Sequence, residues 1–179
     1  MYLSSPVHIV FVHSHITTAL WVTDAKTGKQ YTVLETSTFN FDHNKGLCAS
    51  YNAMLPEPKS EEENNFLDSL NAQTFPLGLN DKEEKGVWRW GSDSSLVQWS
   101  YWAKFKTDPN PDGKRRWNCV AMVRHYLQDD RITGRTSWVD IPCEKEPIAA
   151  KNLVCQKVAG MYRYEIKKSS IKLIVHVIR

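Results

Sequence analysis

Two rhythms of hydrophobic and polar positions run along this chain, and the change between them divides it. The run QYTVL from Gln30 to Leu34 is β-branched and aromatic and follows the turn-forming Thr27-Gly28-Lys29, which predicts a strand entered through a turn. In KGLCASYNAML, Leu47, Tyr51 and Met54 recur at helical spacing with Cys48 on the same broad face. This predicts a short amphipathic helix that carries a cysteine inward. After the breaker Pro56-Glu57-Pro58, Ser60 stands three residues ahead of Glu63, a reciprocal cap for the free amides of a helix start. Phe66, Leu67 and Leu70 then supply the buried side of a second helix, from about Ser60 to Ala72.

Beyond that helix the rhythm changes. FPLGLND, GVWRWGSD and LVQWSYW are short, aromatic and separated by Gly, Asp and Ser, as strands and loops are. NCVAMV alternates like a strand, and SWVDIPC and NLVCQKV predict two more. A strand, two helices and then only strands and loops indicate an α+β domain with a small antiparallel sheet. Past Cys155 the tail ends with Ile171, Leu173, Val175 and Val177 in alternation, a strand whose available partner is the N-terminal run VHIVFV.

Composition narrows the classes of function. With 179 residues and 41% hydrophobic content, the chain is expected to form one domain with extensions. Twenty-three basic against 20 acidic residues give a formal charge of +3, far short of a nucleic-acid binder with its basic residues on one face. Seven Trp and seven Tyr serve as core pieces or as contact surfaces. The stretch MYLSSPVHIVFVHSHITTALW lacks a basic leader region and carries His8, His13 and His15. It makes a poor signal peptide and is too broken for a membrane span; a degenerate leader and an ordinary first strand both fit. No Asn-x-Ser/Thr acceptor occurs, so glycosylation lends a secreted reading no support.

Four cysteines, Cys48, Cys119, Cys143 and Cys155, allow three pairings if all are oxidised, and none lies in a CxxC pair of the kind zinc sites use. Two disulfides in an oxidising compartment and four buried thiols are both open. Catalytic chemistry finds little support. His43 and His125 are far apart, no GxSxG or HExxH occurs, and Asp129-Asp130 runs at once into Arg131. One segment invites a different chemistry. The polar residues from about Lys104 to Trp117 are too many for an ordinary connection, and they contain KTDPNPDG, rich in oxygen donors and in turn formers.

In order along the chain stand the Tyr31 strand, the Cys48 helix, MLPEPKSEEENNFL, LGL at Leu77 to Leu79 and VWRW at Val87 to Trp90. Trp102, the proline of DPN, WNC at Trp117 to Cys119, WVDIPC at Trp138 to Cys143 and LVCQK follow. This ordered set resembles a C-type lectin-like domain over roughly Lys29 to Lys157. The expected organisation is an N-terminal extension over 1–28, the domain over 29–157 and a C-terminal extension over 158–179. The resemblance implies that Cys48 pairs with Cys155 and Cys119 with Cys143, in a secreted, extracellular, non-enzymatic protein.

The resemblance also implies a calcium-dependent sugar site. Calcium takes six to eight oxygens, and in sugar-binding members a Glu-Pro-Asn or Gln-Pro-Asp triplet with a cis bond before the proline supplies some of them. Here the matching triplet is Asp108-Pro109-Asn110, and with Asp140 of the family's Trp-Asn-Asp position it makes the candidate ligand set Asp108, Asn110 and Asp140. Two usual ligand positions are lost, to Trp117 and Val139, with Asp112 or backbone oxygens left to fill gaps. Trp117 is a candidate sugar-stacking residue, and Lys114-Arg115-Arg116 beside it are candidates for an anionic glycan or a solvated charge run. The expected partner is a glycan or glycoprotein; a calcium-independent module that binds a protein ligand through the long loop is the alternative.

Overall fold

The computed structural model describes residues 19–36, 40–104, 110–113, 116–124, 127–128, 131–132, 136–144 and 152–157. The predicted pairing of the two terminal runs, and most of the two expected extensions, lie outside these residues.

The described fold is α+β. QYTVL forms β2 (Gln30–Glu35), which pairs antiparallel along its whole length with β9 (Asn152–Lys157), from Gln30↔Lys157 to Glu35↔Asn152. The short β1 (Val22–Thr23) flanks β2 on its other edge, through Val22↔Tyr31. A second sheet has the order β4 (Arg89–Trp90), β3 (Thr74–Asn80), β5 (Cys119–Val123) and β8 (Ser137–Ile141). All its neighbours are antiparallel, as strands in a meandering chain allow. Leu127↔Ile132 marks a separate two-stranded ribbon, β6 (Leu127–Gln128) with β7 (Arg131–Ile132).

Both helices differ in detail from the periodicity reading. The first, α1 (Phe41–Ser50), starts earlier than predicted, because Asn40 caps it by accepting from the His43 backbone N–H at 2.9 Å. It buries Phe41, Asn44 and Cys48. Tyr51 lies past its end, the next residue Asn52 has φ 52°, and Met54 leaves for a bridge with Gln156, so neither Tyr51 nor Met54 belongs to the helical face. The second, α2 (Glu61–Ser69), is capped as expected by Ser60, which accepts from the Glu63 N–H at 3.3 Å. The Glu63 carboxylate reaches one residue further back, to the Lys59 N–H at 2.7 Å. The buried face of α2 holds Glu63 and Asn64 beside Leu67, while Phe66 packs only partly. Distant partners explain these inward polar residues: Lys29 Nζ lies 2.5 Å from Glu63, and the Trp138 indole N–H donates to Asn64 Oδ1 at 2.8 Å.

LVQWSYW is not a strand among the described residues. Leu96 and Trp102 make only isolated bridges, to Arg89 and Trp138, and the segment serves as packing instead. Trp90, Trp99 and Trp102 meet the fully buried Trp138 edge-on, with centroids 5.5–6.0 Å away. Such tilted contacts satisfy the charge distribution of the rings better than face-to-face stacking. Two core clusters result, divided by the central strand: Val120 and Met122 of β5 join the tryptophan cluster, while Cys119, Ala121 and Val123 join the cluster around Cys48 and Phe41. Alternation puts successive residues on opposite faces, and both faces of β5 are covered.

Two disulfides, Cys48–Cys155 and Cys119–Cys143, join these parts with the pairing that the resemblance implies. The first spans 107 residues and ties α1 to β9; the second spans 24 and ties the entry of β5 to the exit of β8. Loop closure in the denatured chain assigns them roughly 5 and roughly 3.5 kcal/mol.

Candidate functional site

The β5–β8 pair aims the candidate site. In the register Val120↔Asp140, Asp140 shares the face of Trp138, and Val139 points the other way into the core around Cys119 and Ile141. Val139 is buried hydrocarbon and donates no side-chain oxygen. Asp140 is itself 1% exposed, and its Oδ2 accepts from the Asp112 backbone N–H at 3.2 Å. Its Oδ1 has no hydrogen-bond partner among the described residues. Burial first, and then the negative charge of Asp112, push the Asp140 carboxyl up to about 6.

This contact adds Asp112 to the surroundings of Asp140. Asp108 and its bond to Pro109 lie outside the described residues; among the described residues of the loop, the Asn110–Pro111 peptide is cis. Asp112, treated in the sequence only as a gap filler, is the loop carboxylate that meets Asp140. The sequence contained the signal: DPNPD holds two overlapping triplets, Asp108-Pro109-Asn110 and Asn110-Pro111-Asp112, with the same side-chain chemistry. Asn110 is half-buried and belongs to both.

Trp117 is half-buried at the entry to β5. Its carbonyl accepts from Lys85 Nζ at 2.6 Å, and the same ammonium lies 3.2 Å from Asn118 Oδ1 and 3.2 Å from Asp81 Oδ2, with its charge 5.7 Å from the Trp88 ring centroid. One tethered cation therefore holds the 81–86 turn against the end of the long loop, and Asp81, fully buried in its side chain, gains a counter-charge. Sequence reading missed Lys85; the Asp81/Lys85 spacing of four was its only trace. Lys114 and Arg115 lie outside the described residues, whereas Arg116 is exposed.

A cation would find partial accommodation here. Asp140 offers an oxygen without a hydrogen bond beside a second carboxylate, and a positive ion would offset the burial and the repulsion that together raise its pKa. Against that, Trp117 and Val139 supply no side-chain oxygen, and no group of three or more His, Cys, Asp or Glu side chains gathers as metal ligands among the described residues.

A small α+β scaffold with two structural disulfides and a long oxygen-rich loop defines the class of fold. Its family is shown by comparison: the model of the family "Lectin C-type domain" matches residues 37–157, and the chain belongs to that family. Human C-type lectin domain family 4 member D is 31% identical over 102 residues, which are 55% of this chain and 42% of that protein. The chain thus spans less than half of that relative. Among solved structures, the C-type lectin domain of murine dendritic cell inhibitory receptor 2, in complex with N-glycan, is 26% identical with a TM-score of 0.58, over 77% of this chain and 95% of that one. A calcium-independent type II antifreeze protein shares the fold at 20% identity and a TM-score of 0.57, over 77% of this chain and 91% of that one. No helix among the described residues is long and apolar enough to cross a membrane.

Proposed function

We propose that this chain is a secreted, non-catalytic lectin domain that recognises glycans reversibly through a weakened calcium site in the long loop. The observation that carries the reading is the buried Asp140 carboxylate, placed against Asp112 with an oxygen left for a ligand. In this reading Asp140, Asp112 and Asn110 donate oxygens to calcium, with Asp108 the sequence-based candidate from the preceding residues. When bound, the ion supplies open coordination positions for a pair of sugar hydroxyls. The chain's own residues do the rest: the β5–β8 register fixes Asp140, and Asp112 brings the loop to it.

The likeness to a domain solved with N-glycan supports the glycan as ligand class. The short ligand list supports a dissociation constant on the order of 10⁻⁴–10⁻³ M, the weak end for calcium modules. Calorimetric titration of calcium into chelator-treated, oxidised protein tests this. Saturable binding is expected, weakening as pH falls through about 6, where protons compete for Asp140, and lost in Asp140→Ala. No binding at several millimolar calcium refutes the metal site.

The buried Val139 and the indole of Trp117 favour a second reading, a calcium-independent module that binds a protein partner through the same loop surface. A defined protein ligand bound equally in calcium and in chelator, with no response on a broad glycan panel, selects it.

A further inference from the structure

Beside the Asp112–Asp140 contact, and not lined by either residue, an open groove of about 700 Å³ runs past the Cys119–Cys143 disulfide. Its walls include Arg116, Trp117 and Asn118 on one strand entry, Cys143 and Glu144 on the strand exit, and Lys82 from the 81–86 turn. Three observations mark it as more than a charged stretch of surface. The backbone that carries the Trp117 indole is held by Lys85, so the ring is presented from a fixed base. The opposite wall is clamped to it by the disulfide. The exposed Arg116 guanidinium has no hydrogen-bond or ion-pair partner among the described residues, and the Lys82 ammonium, 4.9 Å from the Phe41 ring centroid, has an exposed pairing with Asp42 at 3.2 Å, which water and salt weaken.

We infer that this groove is a metal-independent subsite for an anionic sugar, one whose ring packs on Trp117 while its sulfate or carboxylate meets Arg116 and Lys82. Arg pairs with such oxyanions through two parallel N–H donors, which gives direction as well as strength. An aromatic face beside a sugar ring contributes apolar contact that a charge pair alone lacks. Glu144, on the facing wall, sets the polarity of the test, because its removal leaves the groove more basic. The inference rests on the glycan reading above for its ligand class and is independent of calcium.

The test is titration of a short heparin-derived oligosaccharide, of a sialylated trisaccharide and of the matching neutral trisaccharide, each in calcium and in chelator. The sulfated or the sialylated probe is expected to bind in both conditions and to weaken steeply between low and physiological salt, with the neutral sugar at least tenfold weaker. Arg116→Ala and Trp117→Ala are each expected to lose about tenfold, Trp117→Phe to retain most of the affinity, and Glu144→Gln to gain about twofold. Which anionic probe binds tighter assigns the group as sulfate or carboxylate. Failure of both anionic probes in chelator, or binding that Arg116→Ala and Trp117→Ala leave unchanged, overturns the subsite. Calcium binding by the same preparation is read in the separate titration, so loss of the metal site and loss of the groove give different patterns.

Discussion

Replacing Asp140 with Asn removes one charge without removing an acceptor. The Asn carbonyl can still take the Asp112 N–H that now reaches Asp140 Oδ2 at 3.2 Å, and its amide gains a donor toward the Asp112 carboxylate. In the metal-free protein the Asp140 carboxyl titrates near 6, against 3.8 in an unperturbed chain. A carboxyl whose native pKa is raised binds protons more tightly when folded, so its favourable contribution is full below about pH 4 and is lost as pH rises through about 6. A displacement of roughly two units corresponds to at most about 3 kcal/mol at neutral pH. For a domain of this size that is on the order of 6–12 °C in Tm. Thermal unfolding in chelator is therefore expected to show Asp140→Asn more stable than the parent at pH 7.5 and nearly equal at pH 4. Saturating calcium at pH 7.5 is expected to reverse the order, since the parent alone keeps the Asp140 charge beside that of Asp112 for the ion to pair with. Equal stability at pH 7.5 in chelator, or a difference that grows toward acid, would refute the electrostatic account of this pair.

Other expectations concern the scaffold that presents the site. Lys85→Met strips the counter-charge from buried Asp81 and releases the Trp117 carbonyl, and is expected to lower urea stability by about 2–3 kcal/mol; Lys82→Met, at an exposed pair, is expected to cost under about 0.5 kcal/mol. Asn64→Ala leaves the Trp138 indole N–H buried without its acceptor, an expected loss of about 1–3 kcal/mol in the same assay. Gly78→Ala would place a methyl 2.9 Å from Glu57 Cγ and 3.2 Å from the Leu55 carbonyl oxygen. Glu57 has little room to yield, because both its carboxylate oxygens are held by Ser92, at 2.8 and 2.6 Å; a loss of about 1–3 kcal/mol on unfolding by urea is expected.

Local signals in the sequence determined much of the scaffold. The Ser60/Glu63 cap, the β-branched run at Gln30 to Leu34 and the strands around Cys119, Trp138 and Cys155 depend on residues close together in the chain, and they appear where the pattern places them. The ordered aromatic and cysteine signposts also led to the family and, through it, to the disulfide pairing. What local pattern could not supply was any property set by a distant neighbour. Glu63 and Asn64 face inward because Lys29 and Trp138, 34 and 74 residues away, neutralise or bond them. LVQWSYW fits strand or loop by pattern, and it wraps Trp138 because distant backbone groups satisfy it at isolated points: the Val97 N–H donates to the Trp88 carbonyl at 3.1 Å, and the Trp138 N–H to the Tyr101 carbonyl at 2.9 Å. The overlapping triplets of DPNPD are equivalent as sequence. Tertiary structure alone brings Asp112 to Asp140, 28 residues on, and Lys85 to Trp117, 32 residues on, since a carboxylate's charge state and an ammonium's partners depend on distance in space.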